Sequence, residues 1–412
     1  MPPMSFSTFL TQIADALRRE NGAELAYLLK PVEEHGKSIV KEFRNPTKQS
    51  LSYYEGSMES PWDEIAIQYV LVVNHCAKNR ATEAFKEECA LASLFFRYFA
   101  NNSGWTLPAL FSILRDLRDL AFDADLEARS KGQGGTANME EAARVLSKAF
   151  TNCVTDRQSP YAESRKWGVY YVVGLILKCY FRVKRISLSK NILRAIEANP
   201  DIPPLSAYPR SHQVTYRYYI GMLSFLNEDF AKSEQELTLA FYNCHLEAHG
   251  NQQRVLTYLI PLRILRGHLP TRELLDRFPV LDDLYSPFIV AMKTGNIRSY
   301  DELLEKFERR LANLNLYLTM ERAREIVIRG LFRRVWVMSE KSTRIPILMF
   351  HVALQFAGST DTPVEEAECL VANMIYKGYM KGYISHEKQT VVLSAKNAFP
   401  RLCDRVQPYA IV

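Results

Sequence analysis

Apolar residues recur along this chain at the three- and four-residue spacing of helices, in paired runs parted by short polar breaks. The clearest unit begins at Tyr216: YRYYIGMLSFLNEDFAKSEQELTLAFYNC. Tyr218, Met222 and Phe225 fall on one face of the first run, and Asn227, Glu228 and Asp229 form the break. Phe230, Leu237, Ala240 and Phe241 supply the second stripe. Gly221, lacking a side chain, lets the two helices approach closely. Upstream, WGVYYVVGLILKCYF, the break RVKR (182–185) and LSKNILRAIEAN repeat the pattern. Downstream it returns as RVLTYLIPLRIL, RGHLP (266–270) and TRELLDRF, and then as SPFIVAMK, TGN (294–296) and YDELLEKFERRLANL. DEIAIQYVLVVNHCAKN and ATEAFKEECALASLFFRYFANN make an earlier pair. The later breaks recur at roughly 40 residues, shortening to roughly 30, as stacked helical hairpins do. The expected fold is mainly α, a right-handed stack of tetratricopeptide-like hairpins. Flexible points are predicted at SKGQGGTAN (130–138) and NPDIPPLSAYPRS (199–211), where Gly, Pro and Ser cluster.

The pattern changes near Met320. MERAREIVIRGLFRRVWVM predicts one amphipathic helix, IPILMFHVALQF a second, and TPVEEAECLVANMIYKG a third. Thr362 with Glu365 forms a capping-box signature, with Pro363 at the first helical position. Val364, Ala367, Val371 and Met374 follow at helical spacing, and Gly378 and Gly382 end the helix. GYISHEKQTVVLSA then reads as two short strands around the turn HEKQ. Three helices and a β-hairpin make a winged helix. The predicted domains are N-terminal helical repeats at 1–160, a tetratricopeptide-like part at 161–319, the winged helix at 320–400 and a tail at 401–412.

Composition fits this picture without narrowing the function much. The chain has 412 residues, 47% of them hydrophobic and 24% charged, with a formal net charge of +6. Such a balance suits a well-packed soluble protein and permits an acidic partner without demanding one. Seven cysteines are scattered without a CxxC pair, and runs such as GLILKCYF around Cys179 and AECLVANMIY around Cys369 suggest buried, reduced thiols. The N-terminus does not read as a signal peptide, and the longest apolar run is cut by Lys178.

No catalytic constellation stands out. HGKS (35–38) ends like a phosphate-binding loop, but Pro31 stands where the first glycine belongs. Cys244, His245 and His249 could share a helix turn, yet no further ligand sits at a zinc-site spacing, so helix-end packing is the better reading. His386 and Glu387 could mimic an acid–base pair, but a hairpin tip is a solvated turn. No metal or cofactor is called for, and the chain is read as non-enzymatic.

The basic residues are more informative. Arg165 to Arg194 carries eight Lys and Arg and no acid, including Arg182, Lys184, Arg185 and Lys190. In the last domain Arg329, Arg333 and Arg334 lie along the first helix, while Lys377, Lys381, Lys388 and Lys396 surround the wing. Such clusters bind phosphates by releasing condensed counterions. Glu365, Glu366 and Glu368 crowd the start of the helix that would enter a DNA groove. They disfavour base reading there and leave sequence-tolerant binding through the wing as the expectation.

Helical hairpins running into a C-terminal winged helix are the architecture of PCI-domain proteins. Here RKWGVYYVVGLILKCYFRVKRISLSKNILRAIE, TYRYYIGMLSFLNEDFAKSEQELTLAFYNCH, RVLTYLIPLRILRGHLPT, LFRRVWV and ANMIYKGYMKGYISHEKQTVVLS resemble the PCI-domain-containing protein two family. That family includes the Thp-one-type subunit of the mRNA-export complex TREX-two and signalosome subunit twelve-like proteins. The resemblance covers roughly 165–400, the first 160 residues matching only in being helical. It implies a nuclear scaffold, with the cytoplasm as a second location, that couples transcription and splicing to mRNA export. Its winged helix would pair with a Sac-type or Thp-three-type scaffold protein to form a platform for RNA or DNA. A small, acidic, disordered proteasome-lid peptide would be a second partner, one whose charge suits Arg182, Lys184, Arg185 and Lys190. A purely structural place in a signalosome- or lid-like assembly is the alternative.

Overall fold

The computed structural model describes residues 4–43, 45–358 and 362–405. Residues 406–412 of the expected tail therefore lie outside the described residues. Nearly every predicted helical run is a helix. The chain divides into two units, Met1–Tyr219 and Ile220–Val412.

In the first unit, α1 (Phe6–Arg18), α2 (Gly22–Leu28), α3 (Glu34–Glu42) and the single turn α4 (Lys48–Leu51) lead into longer helices. These are α5 (Trp62–Ala77), α6 (Ala81–Ala100), α7 (Leu107–Ser130), α8 (Ala137–Val154), α9 (Val169–Arg182) and α10 (Ser189–Glu197). Successive helices pack on one another, α5 on α6, α6 on α7, α7 on α8 and α8 on α9. The nearly unbroken apolar run in α5 is buried on all sides, as an all-round hydrophobic helix must be. The stretch 199–211 differs from its predicted flexibility. Tyr208 is buried, its ring against Tyr170 and its hydroxyl donating to the Lys166 carbonyl at 2.8 Å. Proline-rich composition marked a connection, but a buried tyrosine fastens it.

α11 (Arg210–Leu226) and α12 (Phe230–Asn243) form the predicted hairpin around Asp229, whose side chain caps α12. A Cβ placed on Gly221 would stand 2.7 Å from Leu237 Cγ, and Ser233 Oγ donates to the Gly221 carbonyl at 2.8 Å. That is the close approach the glycine was expected to permit. α13 (His249–Leu265), α14 (Arg272–Asp276), α15 (Pro279–Thr294) and α16 (Ile297–Asn313) continue the second unit.

The second unit ends in α17 (Tyr317–Met338), β1 (Arg344–Pro346), α18 (Ile347–Phe356), α19 (Val364–Tyr376), β2 (Gly382–Ser385) and β3 (Thr390–Leu393). The three strands form an antiparallel sheet in the order β1-β3-β2, with Ile345 opposite Val391 and Tyr383 opposite Val392. So small a sheet is marginal alone. Ile345, Val391 and Leu393 are buried, α18 packs on β1 and α19 on β2, and each such side chain adds roughly 1.5–3 kcal/mol. This is a winged helix at the end of a helical stack.

Three local expectations are corrected. Ile345 is strand, not the start of the second helix: Pro346 disfavours helical backbone in the residue before it, and the free edge of β3 takes that residue up. The capping box does not form, because Pro363 is the cap residue and the helix begins at Val364 without a side-chain cap. Cys369 is exposed, since the buried stripe of α19 runs through Ala367, Val371 and Met374 and position 369 turns away from it. Among the described residues, no helix is long and apolar enough to cross a membrane.

Candidate nucleic-acid and partner interface

α19 closes with Gly378 in the left-handed region at φ 73°, where glycine carries no Cβ penalty. The Tyr379 N–H returns to the Met374 carbonyl at 2.8 Å and the Gly378 N–H to Ile375 at 3.0 Å. This turn aims the chain into β2 and sets the lysines around the wing. Lys381, Lys388 and Lys396 are exposed, and none has a side-chain partner among the described residues. Lys377 is different: it is half-buried and its Nζ is bonded to Glu325 of α17.

The glutamates of α19 also divide. Glu365 and Glu366 are exposed in its first turn. Glu368 instead anchors the wing turn: His386 Nδ1 lies 2.7 Å from its Oε1, and Gln389 Nε2 donates to Oε2 at 3.3 Å. The bond from His386 holds the Glu368 carboxyl below its usual range, and the same bond raises the His386 imidazole. His386 therefore works with Glu368 rather than with Glu387.

On α17, Arg329 is half-buried, donates Nη2 to the Pro400 carbonyl at 2.7 Å and lies over the Phe399 ring. Burial lowers its basicity, and the nearby Arg333 and Arg405 lower it further. Arg333 and Arg334 are exposed and without partners among the described residues. Two cations of this region had no motif to mark them. Lys293 of α15 lines the same cleft as the three arginines. Arg405 lies 3.8 Å above the Tyr379 ring and donates Nε to the Lys377 carbonyl at 3.1 Å.

Beside these arginines runs an apolar groove of 540 Å³, walled by Leu331, Val335 and Met338 of α17 and by Met349, Val352 and Phe356 of α18. Phe356 is 94% exposed and Met338 82%, with Leu348, Met349 and Val352 also turned outward. The sequence signal was present: IPILMFHVALQF has more apolar positions than one buried face can take. Within α18 the buried apolar side chains are Ile347, Phe350 and Leu354, and Ile345 is buried through β1.

In the first unit the basic run is largely engaged. Arg165 is buried, donating Nη1 to the carbonyls of Phe99 and Ala100 at 2.9 and 2.6 Å, with Nη2 3.5 Å from Asp156. Lys166 faces Asp201 at 3.6 Å, Arg185 meets Glu140 at 3.2 Å and Arg182 lies over the Phe122 ring. Lys184 and Lys190 are exposed without partners among the described residues.

The remaining motifs take structural places. Gly36, Lys37 and Ser38 are inside α3 rather than in a loop, and His35 is buried, its Nε2 within hydrogen-bond distance of the Leu28 carbonyl and the Tyr69 hydroxyl. Cys244 caps α12, and the His249 ring faces Phe278. Burial pushes the Cys76, Cys89, Cys153 and Cys179 thiols up to about 12, which makes them unreactive at neutral pH. Among the described residues, no group of three or more metal-binding side chains converges.

Comparison with known proteins agrees with this geometry. A family model for the PCI domain matches residues 304–395, which take in α17–α19 and the wing. The chain is 38% identical to Protein CSN12 homolog of Schizosaccharomyces pombe, over 97% of this chain and 98% of the other. It is 30% identical to PCI domain-containing protein 2 of Xenopus laevis, over 98% and 99%. With PCI domain-containing protein 2 homolog of Drosophila melanogaster it shares 29%, over 96% and 98%. The likeness thus reaches into the first 160 residues, beyond the expected span of 165–400.

Proposed function

Because the chain belongs to the PCI-domain family of CSN12 and PCI domain-containing protein 2 homologues, we propose that it is a non-enzymatic scaffold subunit of a nuclear mRNA-processing and export complex. Its winged helix pairs with a Sac-type or Thp-three-type PCI partner, and the pair forms a sequence-tolerant platform for RNA or DNA. The observation that carries this reading is the outward face of α18, where Leu348, Met349, Val352 and Phe356 leave an apolar surface beside a groove. A contiguous apolar patch of this kind marks a protein interface. The wing supplies the second half of the reading, since Lys381, Lys388 and Lys396 present unpaired charge to a phosphate backbone. An acidic, disordered lid peptide is the further partner, for which Lys184 and Lys190 offer free charge and Arg182 and Arg185 lie alongside.

Affinity purification of the chain from native nuclear extract tests the reading, with the Phe356→Asp, Met349→Asp double variant run in parallel. The expected result is a PCI scaffold partner that co-purifies with the native chain and is lost from the variant, whose thermal transition is unchanged. Recovery of the partner at the same level by the variant would show that α18 is not the interface. A second reading is favoured by the relatives named CSN12 homologs: a structural subunit of a signalosome- or lid-like assembly. In that case the co-purifying proteins are other PCI subunits with a deubiquitinating or deneddylating module, and nucleic acid is absent.

A further inference from the structure

Between the end of α13, α15 and α17 lies a cleft of 260 Å³ into which Lys293, Arg329, Arg333 and Arg334 project. No carboxylate lines it among the described residues. Glu325, carried by the same helix, is occupied by Lys377. Arg329 Nε is buried without an acceptor, as is Nη1 of the neighbouring Arg405, and both residues are otherwise held by backbone carbonyls. Like charges are thus gathered at one spot with donors unmet, an arrangement that costs free energy unless an anion completes it. The opposite wall is apolar, formed by Ile264, Leu269 and Leu402.

We propose that this cleft is a receptor for a phosphate monoester, distinct from the wing. The chemistry discriminates between kinds of phosphate. A nucleic-acid backbone spreads single negative charges along a path, which suits the separated lysines of the wing. A monoester concentrates nearly two charges and three acceptor oxygens in one group, and guanidinium forks meet it bidentately. The apolar wall would receive the carbon part that carries the phosphate. Two sources share this chemistry, a phosphorylated side chain of a docked protein and the 5′-phosphate of a nucleotide. Arg334 also lines the apolar groove of α17 and α18, so a segment seated there would bring a phosphorylated side chain to the cleft.

The test is isothermal titration calorimetry on the full chain with O-phospho-L-serine, adenosine 5′-monophosphate and, as the diester control, dimethyl phosphate, at fixed ionic strength. The monoester is expected to bind roughly tenfold more tightly at pH 7 than at pH 5, following the dianion fraction set by a second pKa near 6. Dimethyl phosphate should show neither comparable binding nor that pH response. Tighter binding of phosphoserine assigns the site to a modified protein, and tighter binding of the nucleotide assigns it to a mononucleotide. R333E/R334E should abolish the heat with both monoesters. Should that variant fail to fold, R333Q is expected to weaken binding several-fold with an unchanged thermal transition. Equal binding of monoester and diester, no pH response, no heat with either monoester, or full binding by a folded variant would each overturn the proposal.

Discussion

Arg165 and Arg333 carry the same charge into opposite surroundings. Arg165 is buried, with two carbonyls and Asp156 about its guanidinium. Arg333 is exposed on α17, with Arg329 as its charged neighbour and no acid bonded to it. The same contrast separates the two basic stretches. Between 165 and 185 most charges are met by Asp156, Asp201, Glu140 or an aromatic face, whereas Arg333 and Arg334 of α17 and Lys381, Lys388 and Lys396 of the wing are left open among the described residues. A charge met internally holds the fold, and one left open is free for a partner. Density of lysine and arginine along the chain does not separate the two.

The comparison breaks most sharply at Asp156. Burial acts to raise this carboxyl, but hydrogen bonds from the Arg165 and Ser159 N–H groups and the Ser164 hydroxyl outweigh it and hold it well below the usual range. Asp156→Asn strands Arg165 in the interior and should cost about 3–5 kcal/mol in guanidinium denaturation. A loss under about 1 kcal/mol would mean the pair is not structural. Since the folded carboxyl is depressed, its contribution is complete above the unfolded value near 4. It disappears as pH falls through the folded one. The native chain should therefore lose stability below about pH 4, and the Asn variant should lose less.

Next in size is charge reversal of Lys381, Lys388 and Lys396 together. Affinity for RNA and DNA should fall for all sequences alike, and the slope of log K against log salt should drop by about 2–3. An unchanged slope in fluorescence anisotropy would remove the wing from the interface. Lys377→Ala sharpens the point, because that amine is already committed to Glu325. Its effect on the slope should stay below about 1, with the larger change appearing in thermal stability.

Smaller still is the wing anchor. The His386 imidazole is raised by its bond to Glu368, so the charged tether is complete below the unfolded value near 6.5 and is lost as pH rises through the folded one. Proton NMR titration should find the His386 midpoint above the ordinary value, and Glu368→Gln should bring it down. Equal midpoints in the two proteins would contradict the tether. Arg185→Ala, which removes one exposed ion pair, should change stability by no more than about 0.5 kcal/mol.

The fold was legible where repetition made it so. Helical spacing in YRYYIGMLSFL and FAKSEQELTLAFYN predicted α11 and α12 because each stripe is read within one helix, and Gly221 announced their close contact. β1 was not legible, since three residues carry no period and take their conformation from β3. The candidate site was legible only as a list of cations. Lys381 and Lys377 are four positions apart and differ because Glu325, more than fifty positions earlier, reaches only one of them. Lys293 and Arg405 had no signal at all, being isolated residues that join the cleft region from α15 and from beyond the wing.

By itself the sequence determined the helices, the order of hairpins and the wing, because these depend on neighbours a few positions apart and on burying one face of each element. It also carried the excess apolar character of IPILMFHVALQF, which no single buried stripe could use. Which charges are met internally, which apolar side chains of α18 are left outside, and which cations share a cleft were decided only in the tertiary structure. Coulomb and packing energies act between groups close in space, and closeness in space across helices is not written in any local spacing.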